Sequence, residues 1–438
     1  VGLALPIKNK IKKEARMKKF LVVMLALFLA IPAITYAGSV TSKYDVTIGG
    51  YVKFDLGWSN QNNGPDYITA ARESIRGNQN RLDEYGNTYM YAGETRVNML
   101  VKGPDAWGAK TSAFIEGDFR NSAASGASGV MTLRHAFMKF DWAQDSLIFG
   151  QTWNEWGMIF SVPTLAFNEL VDVNKGFRQP QIRWTHTFNK NFSFFLGVYS
   201  QYNTMTVGNA QNDAGRGLMP HYMGELTWKT DSCGKIGPYM TQFSFGGFYG
   251  QEKFTYTSDN RTWSDEKVNT WMMALKGFVP IIPEKKGNKA GSFALTGAAF
   301  YGQISANSPE MSPYGMTVAT GIAGATDRAP HVPTTYGGWG GLTYYFTDSV
   351  YITGVYSTRT NNFDYKNTLA TAASVRNNQA YIGNLIWDVN PAVRFGLEYS
   401  RVVTGWGHFA ASDGATAAGV VGAGGKSDNV RFAAWYFF

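Results

Sequence analysis

Chemistry, if the chain performs any, would start from its histidines, its cysteine and its paired charges. The five histidines are His135, His186, His221, His331 and His408. None stands in the H-E-x-x-H spacing that places two imidazoles and a base on one helical face. Cys233 is the sole cysteine, so the chain can form no intramolecular disulfide and no thiolate metal cluster. Serines are many, but no G-x-S-x-G elbow presents one as a nucleophile. These residues predict no catalytic centre, no cofactor and no metal.

What remains is ionic chemistry. Arg96, Arg120, Arg134 and Arg183 fall on the polar side of alternating stretches, and Arg178 lies just before the last of them. Glu94, Glu116 and Asp118 stand among them. A guanidinium is always charged and grips carboxylates in a fork. A row of such groups facing acids across water would set up a transverse field and enrich small anions. The same arginines could equally pair with the neighbouring acids and stiffen the wall that carries them.

The elements that position these charges are strands. Val46, Ile48, Val52, Phe54, Leu56 and Trp58 alternate with Asp45, Thr47, Tyr51, Lys53 and Asp55, one face apolar and the other mainly polar. The pattern returns at 91–102, 112–120, 192–201 and 393–400. Such runs are long for a globular strand and suit a tilted membrane-crossing one. Short turns are expected near 103–108, 143–145, 189–191, 230–238, 283–291, 347–349 and 389–391. Longer connections are expected near 60–88, 121–129, 154–180, 203–219, 252–267, 304–335, 360–376 and 403–427. Short and long alternate throughout, and fifteen connections join sixteen strands, with fourteen or eighteen still compatible. An even number puts both termini at the short-turn end, which in such barrels is the periplasmic one.

Composition agrees. Charged residues make up 16% of the 438, well below the quarter usual in soluble domains, while aromatics reach 15% and glycine 49 residues. Half of each strand in an alternating barrel faces lipid and half faces water, which this balance fits. Past residue 37 no apolar run is long enough for a membrane helix, so a membrane location requires a closed sheet. Trp58, Trp107, Trp142, Trp184, Trp228, Trp387 and Trp435 fall near strand ends, where interfacial aromatic girdles form.

The N-terminus has the form of a secretory signal. Lys18 and Lys19 precede an apolar run, 20–31, and Thr35-Tyr36-Ala37 forms a small-x-small cleavage site ending at Ala37. Residues 1–16 have the character of an upstream extension, with translation starting at Met17. The expected organisation is 1–37 as extension plus signal and 38–438 as barrel. Seven basic residues and one acid lie in 1–37, so that segment carries +6 of the formal +8 and leaves +2. The basic excess therefore gives no case for nucleic acid. At the other end Val430, Phe432, Ala434, Tyr436 and Phe438 alternate to the last residue. Tyr436 and Phe438 resemble the signal read by the outer-membrane insertion machinery.

Specific strings point further. Ile115-Glu116-Gly117-Asp118-Phe119, Leu133-Arg134-His135-Ala136-Phe137, Gly150-Gln151-Thr152-Trp153 and Arg178-Gln179-Pro180-Gln181-Ile182-Arg183 occur in order after a Gly-Gly-Tyr-Val-Lys-Phe first strand. Together they resemble the DcaP-like outer-membrane porins and, more loosely, the general trimeric porins, best over 45–185. The resemblance implies an all-β transmembrane antiparallel up-and-down barrel of about sixteen strands, with short periplasmic turns, long extracellular loops and a constriction loop folded inward. It implies a homotrimer passing small hydrophilic solutes by passive diffusion, with organic anions such as dicarboxylates favoured. Its partners would be outer-membrane lipid and lipopolysaccharide, with the barrel assembly machinery and periplasmic chaperones during biogenesis. Some such porins carry a coiled-coil segment before the barrel; about seven residues separate Ala37 from the first strand here, so trimer support would come from the barrel walls.

The 154–180 segment is the expected constriction. It is rich in apolar residues for an external loop (Trp156, Met158, Ile159, Phe160, Leu165, Phe167), and a loop tucked against the inner wall would bury them. The pore-lining candidates are then Arg96, Glu116, Asp118, Arg120, Arg134, Glu155, Glu169, Asp172, Arg178 and Arg183. Three rival readings stay open: an outer-membrane phospholipase, a filled structural or adhesive barrel, and a soluble periplasmic β-protein.

Overall fold

The computed structural model describes residues 44–61, 86–120, 130–154, 163–165, 178–200, 206–207, 210–212, 219–258, 261–303, 334–362, 375–406 and 424–438. Nineteen strands lie in a single sheet: β1 Asp45–Ser59, β2 Asn87–Tyr91, β3 Arg96–Lys102, β4 Lys110–Asp118, β5 Thr132–Asp141, β6 Asp145–Trp153, β7 Arg178–Thr187, β8 Phe192–Tyr199, β9 Thr206–Val207, β10 Ala210–Asn212, β11 His221–Ile236, β12 Tyr239–Ser258, β13 Arg261–Ile282, β14 Phe293–Gln303, β15 Thr334–Tyr345, β16 Val350–Asn362, β17 Val375–Asp388, β18 Val393–Trp406 and β19 Gly424–Phe437. Sixteen of these positions form the wall. β2 and β3 both pair with β1 and act as one interrupted strand, and β9 and β10 are a small ribbon in the β8–β11 connection. Each wall strand pairs antiparallel with its chain neighbours, and β1 pairs with β19, closing the barrel. Closure leaves no unpaired sheet edge, which is what permits a sheet to face hydrocarbon.

The alternation works as expected. Val52, Phe54 and Trp58 of β1 are exposed on the outside, whereas Lys53, Asp55 and Ser59 are buried on the inside. Pairing carries this parity around the ring, because directly paired residues share a face. Six of the seven short turns occur where the turn residues predict them; the 230–238 turn shrinks to residues 237–238, because β11 runs on to Ile236 through a register shift after Thr230. Lys286 and Gly287 (φ 54° and 83°) make a two-residue hairpin between the bridged Lys285 and Asn288, the left-handed pair that such turns demand. The seam is closed by the last residue: Phe438 and Gly50 exchange two backbone hydrogen bonds of 3.1 Å. A Cβ on Gly50 would lie 2.2 Å from the carbonyl oxygen of Arg96, so only glycine fits there.

Two further expectations need correction. The 252–267 stretch is not a loop: β12 runs on to Ser258 and β13 starts at Arg261, so strand pairing continues well past the neighbouring rim. The alternating Phe-Thr-Tyr-Thr sequence there is strand-forming despite its polarity. Trp435 is no girdle residue. It is buried on the inside, because Ala434 and Tyr436 on either side take the outer face. β13 passes Pro280 through a register shift between Pro280 and Ile282 and stops before Pro283.

Candidate functional site in the barrel interior

Two inner walls differ in chemistry. The first is charged and spans β1–β7 together with β17–β19. On β1, Lys53 forms an ion pair with Asp55 at 3.0 Å and another with Glu94, which sits in the break between β2 and β3. Arg431 of β19 approaches Asp55 at 4.0 Å. On the next strands Arg134 is wrapped by acids: its Nε donates to Glu116 Oε1 at 2.7 Å and its Nη1 to Asp118 Oδ2. Thr132 Oγ1 donates to the other oxygen of Asp118 at 2.6 Å. Arg134 can reach both acids because β5 shifts register there: His135 pairs with Glu116, Leu133 with Gly117, and Arg134 is the extra residue. His135 faces inward beside it, its Nδ1 2.9 Å from Thr152 Oγ1.

The predicted arginine row is therefore not uniform. Arg134 is only 1% exposed and fully engaged. Arg96 reaches Glu116 at 4.0 Å and lies over the Tyr51 ring at 5.3 Å while keeping part of its surface open. Arg183 faces inward, donates to the Trp153 carbonyl at 3.2 Å and lies over Phe195. Arg178 opens β7 on the parity opposite to Gln179 and Arg183, its guanidinium 4.5 Å from the Trp153 ring centroid. Arg120 follows β4, its backbone N–H donating to Asp118 and its carbonyl accepting from Tyr91. Glu155, Glu169 and Asp172 lie outside the described residues, as does Ala37. Tyr436 and Phe438 are exposed on the outer face.

The 154–177 connection supplies one described stretch, Pro163 to Leu165, and its position is informative. Lys53 Nζ donates to the Leu165 carbonyl at 2.8 Å. The Leu165 N–H donates to Glu398 Oε2 at 2.7 Å. Asn384 Nδ2 donates to the Pro163 carbonyl at 2.6 Å and to Glu398 at 3.2 Å. The Leu165 side chain is fully buried among Tyr351, Ile386, Ala433 and Trp435. Gly396 leaves room for it, since a Cβ there would meet Leu165 Cδ2 at 2.4 Å. These partners belong to β1 and β16–β19, while the connection springs from β6 and returns to β7. In a ring of sixteen, β17 stands diametrically opposite β7. Sixteen tilted strands about 4.8 Å apart enclose a ring on the order of 30 Å across. The stretch from Asn154 to Leu165 can reach roughly 36 Å extended. Pro163–Leu165 is thus latched to the inner wall far around the ring from the strands that flank the connection, a span the chain is long enough to cover.

No protein-family model matches the chain, nor does any curated protein sequence. Solved structures do match. The chain is similar to the outer membrane channel DcaP of Acinetobacter baumannii, with a TM-score of 0.69 and 16% identity over 92% of this chain and 100% of that one. It is similar to an anion-selective porin from Comamonas acidovorans (TM-score 0.57, 10% identity, 90% and 100% covered). The trimer form of OmpT from Vibrio cholerae also matches (TM-score 0.51, 10% identity, 91% and 100% covered). The fold is that of the outer-membrane porins.

Within this porin fold the second inner wall departs from expectation. Over β8–β16 the inward positions carry Phe195, Met223, Phe248, Met272, Phe300 and Trp339, all buried. Trp339 packs with Val355, Ala380, Ile382 and Val402, so the apolar cluster continues onto β17 and β18. The alternation of these strands predicts an apolar outer face and a wet inner one. Runs such as Trp271-Met272-Met273-Ala274-Leu275 are instead apolar on both faces. One ion pair, Lys276 Nζ to Glu225 Oε2 at 2.6 Å, is buried in this wall. The receptors of the loop were also missed. Lys53 and Glu398 read as inward polar residues, but nothing local in the sequence connects them to Leu165, 112 and 233 residues away.

Proposed function

We propose that the chain is an outer-membrane porin that passes small hydrophilic solutes by passive diffusion, without covalent chemistry. The single observation that carries this is the latch: part of the connection that leaves β6 is held inside the barrel by Lys53 of β1, Asn384 of β17 and Glu398 of β18, strands far around the ring from it. A segment held inside the bore narrows it, and the charges beside the narrowing set which ions are enriched. Arg96, Arg120 and Arg183 lie on the wall from which the loop departs, and they support a preference for small organic anions such as dicarboxylates. The apolar outer face supports a place in the outer membrane, with short turns in the periplasm and long loops outside. Cleavage after Ala37 would release the mature barrel, and outward Tyr436 and Phe438 suit recognition by the assembly machinery. Trimer assembly follows the general porin pattern.

Planar-bilayer recording tests this. Insertion should give conductance in steps of three, and a salt gradient should give a reversal potential of anionic sign. A barrel that inserts and stays silent would sink the proposal. Heat-modifiable migration on a detergent gel separates it from a soluble β-protein.

A further inference from the structure

The lipid-facing wall is not uniformly covered. Gly224 of β11 pairs with Gly247 of β12, and both take outward positions. The row below them is Phe194, Leu226 and Phe245, and Leu196 and Met273 stand on either side. Two missing side chains amid large ones leave a recess of about 340 Å³, lined almost wholly by apolar atoms. One step nearer the short-turn end, Trp228 stacks on Phe243 with ring centroids 6.1 Å apart, the pairing expected at headgroup level.

The rim beneath this recess is basic. Lys190 stands on the β7–β8 turn, Lys285, Lys286 and Lys289 on the β13–β14 turn and Lys235 at the end of β11, against Asp231, Glu284 and, from the next turn, Asp348, which accepts from the Lys289 backbone N–H. Glu284 is already taken by the Gly237 N–H at 2.6 Å, with Lys235 at 4.0 Å. Lys190, Lys285 and Lys286 form no ion pair among the described residues. On the opposite arc of the same rim each lysine holds its own acid: Lys102 with Asp45 at 3.2 Å, Lys110 with Asp105 at 2.6 Å, Lys139 with Asp141 at 2.7 Å. Uncompensated positive charge therefore lies under the recess. Along β11, Gly224 is about 17 Å, at ~3.4 Å per residue, from the level of Lys229, whose backbone N–H donates to Asn191 in the turn that carries Lys190. That is close to the ~15 Å depth of one leaflet's hydrocarbon.

We propose that this face is a site for an anionic phospholipid of the periplasmic leaflet, its phosphate among the rim lysines and an acyl chain in the Gly224–Gly247 recess. The proposal rests on the membrane placement given above. An apolar recess at chain depth is filled by a flexible hydrocarbon, and lysines at the surface add attraction for each anionic headgroup.

The test is native mass spectrometry of the purified full chain in detergent, offered phosphatidylglycerol or phosphatidylcholine with identical acyl chains. Phosphatidylglycerol should be retained roughly fivefold more. Joint substitution Lys190→Gln, Lys285→Gln and Lys286→Gln should abolish that preference, and inorganic phosphate should not displace the lipid. Gly224→Leu should lower retention of both lipids; its nearest obstacle is the free end of Leu196 at 2.8 Å, which can swing away. Equal retention by the unaltered protein, or unchanged preference in the lysine variant, overturns the proposal. So does a Gly224→Leu protein that loses its oligomer but keeps its lipid, since the recess would then be a subunit contact. Conductance of the same samples separates the two readings: a silent barrel that still prefers phosphatidylglycerol supports the lipid site and sinks the channel.

Discussion

The two inner walls of this barrel solve the burial of the same backbone in opposite ways. Over β1–β7 and β17–β19 the inner face carries a network of buried charges that hold one another: Lys53 by Glu94 and Asp55, Arg134 by Glu116 and Asp118. Over β8–β16 buried aromatic and sulfur-bearing side chains such as Phe248, Met272 and Trp339 share the inner face with hydroxyls such as Thr270 and Ser357 and with few charges, Arg359 and the Lys276–Glu225 pair among them. The charged wall is also where the β6–β7 loop is anchored. That coincidence has a physical cause. A loop carries unpaired backbone N–H and C=O groups, and a buried loop needs donors and acceptors to receive them. Lys53, Glu398 and Asn384 supply these.

Breaking the latch should have the largest effect. Lys53→Ala with Glu398→Ala removes both partners of Leu165, and single-channel conductance should rise roughly twofold with added noise as the narrowing is lost. Unchanged conductance would mean that the loop does not limit flow. Next comes Arg134→Ala. It strands two buried carboxylates and should cost about 3–5 kcal/mol, read as a lower temperature for conversion to the heat-denatured gel form. Its effect on ion preference should be smaller than its effect on stability. The reverse ranking is expected for Arg96→Ala, whose side chain is more open. The anion-to-cation permeability ratio should fall by a factor of about 2–5 while the barrel stays heat-stable. If Arg134→Ala and Arg96→Ala shift the reversal potential equally, the division between structural and solute-facing arginines fails. The smallest effect on conduction is predicted for the apolar wall. Met272→Ala should cost about 2–5 kcal/mol of stability and leave the reversal potential where it was.

Much of this was legible in residue order, for reasons of period and sign. Six of the seven short turns were placed by Gly, Pro, Asn and Asp clusters, which act locally. The alternation in β1, β4 and β18 assigned faces because each has one apolar side. Where both sides are apolar, as in 271–275, period-2 reasoning has nothing to compare and the inner wall goes unseen. The extended β12–β13 hairpin was misjudged because polar threonines and lysines resemble loop composition while still pairing as strand. Arg134 was recognised as a candidate, but its double engagement depends on one extra residue in β5, and a register shift leaves no mark in composition.

By itself the sequence determined the barrel class, most of the short-turn pattern and the outer apolar face, because these follow from alternation along a chain and from local turn chemistry, while ring closure fixed the count at sixteen. Only the tertiary structure decided which wall receives the β6–β7 loop and which arginines are spoken for. Those outcomes depend on ring closure, which brings β6 and β7 opposite β17 and sets Leu165 beside residues more than a hundred positions away.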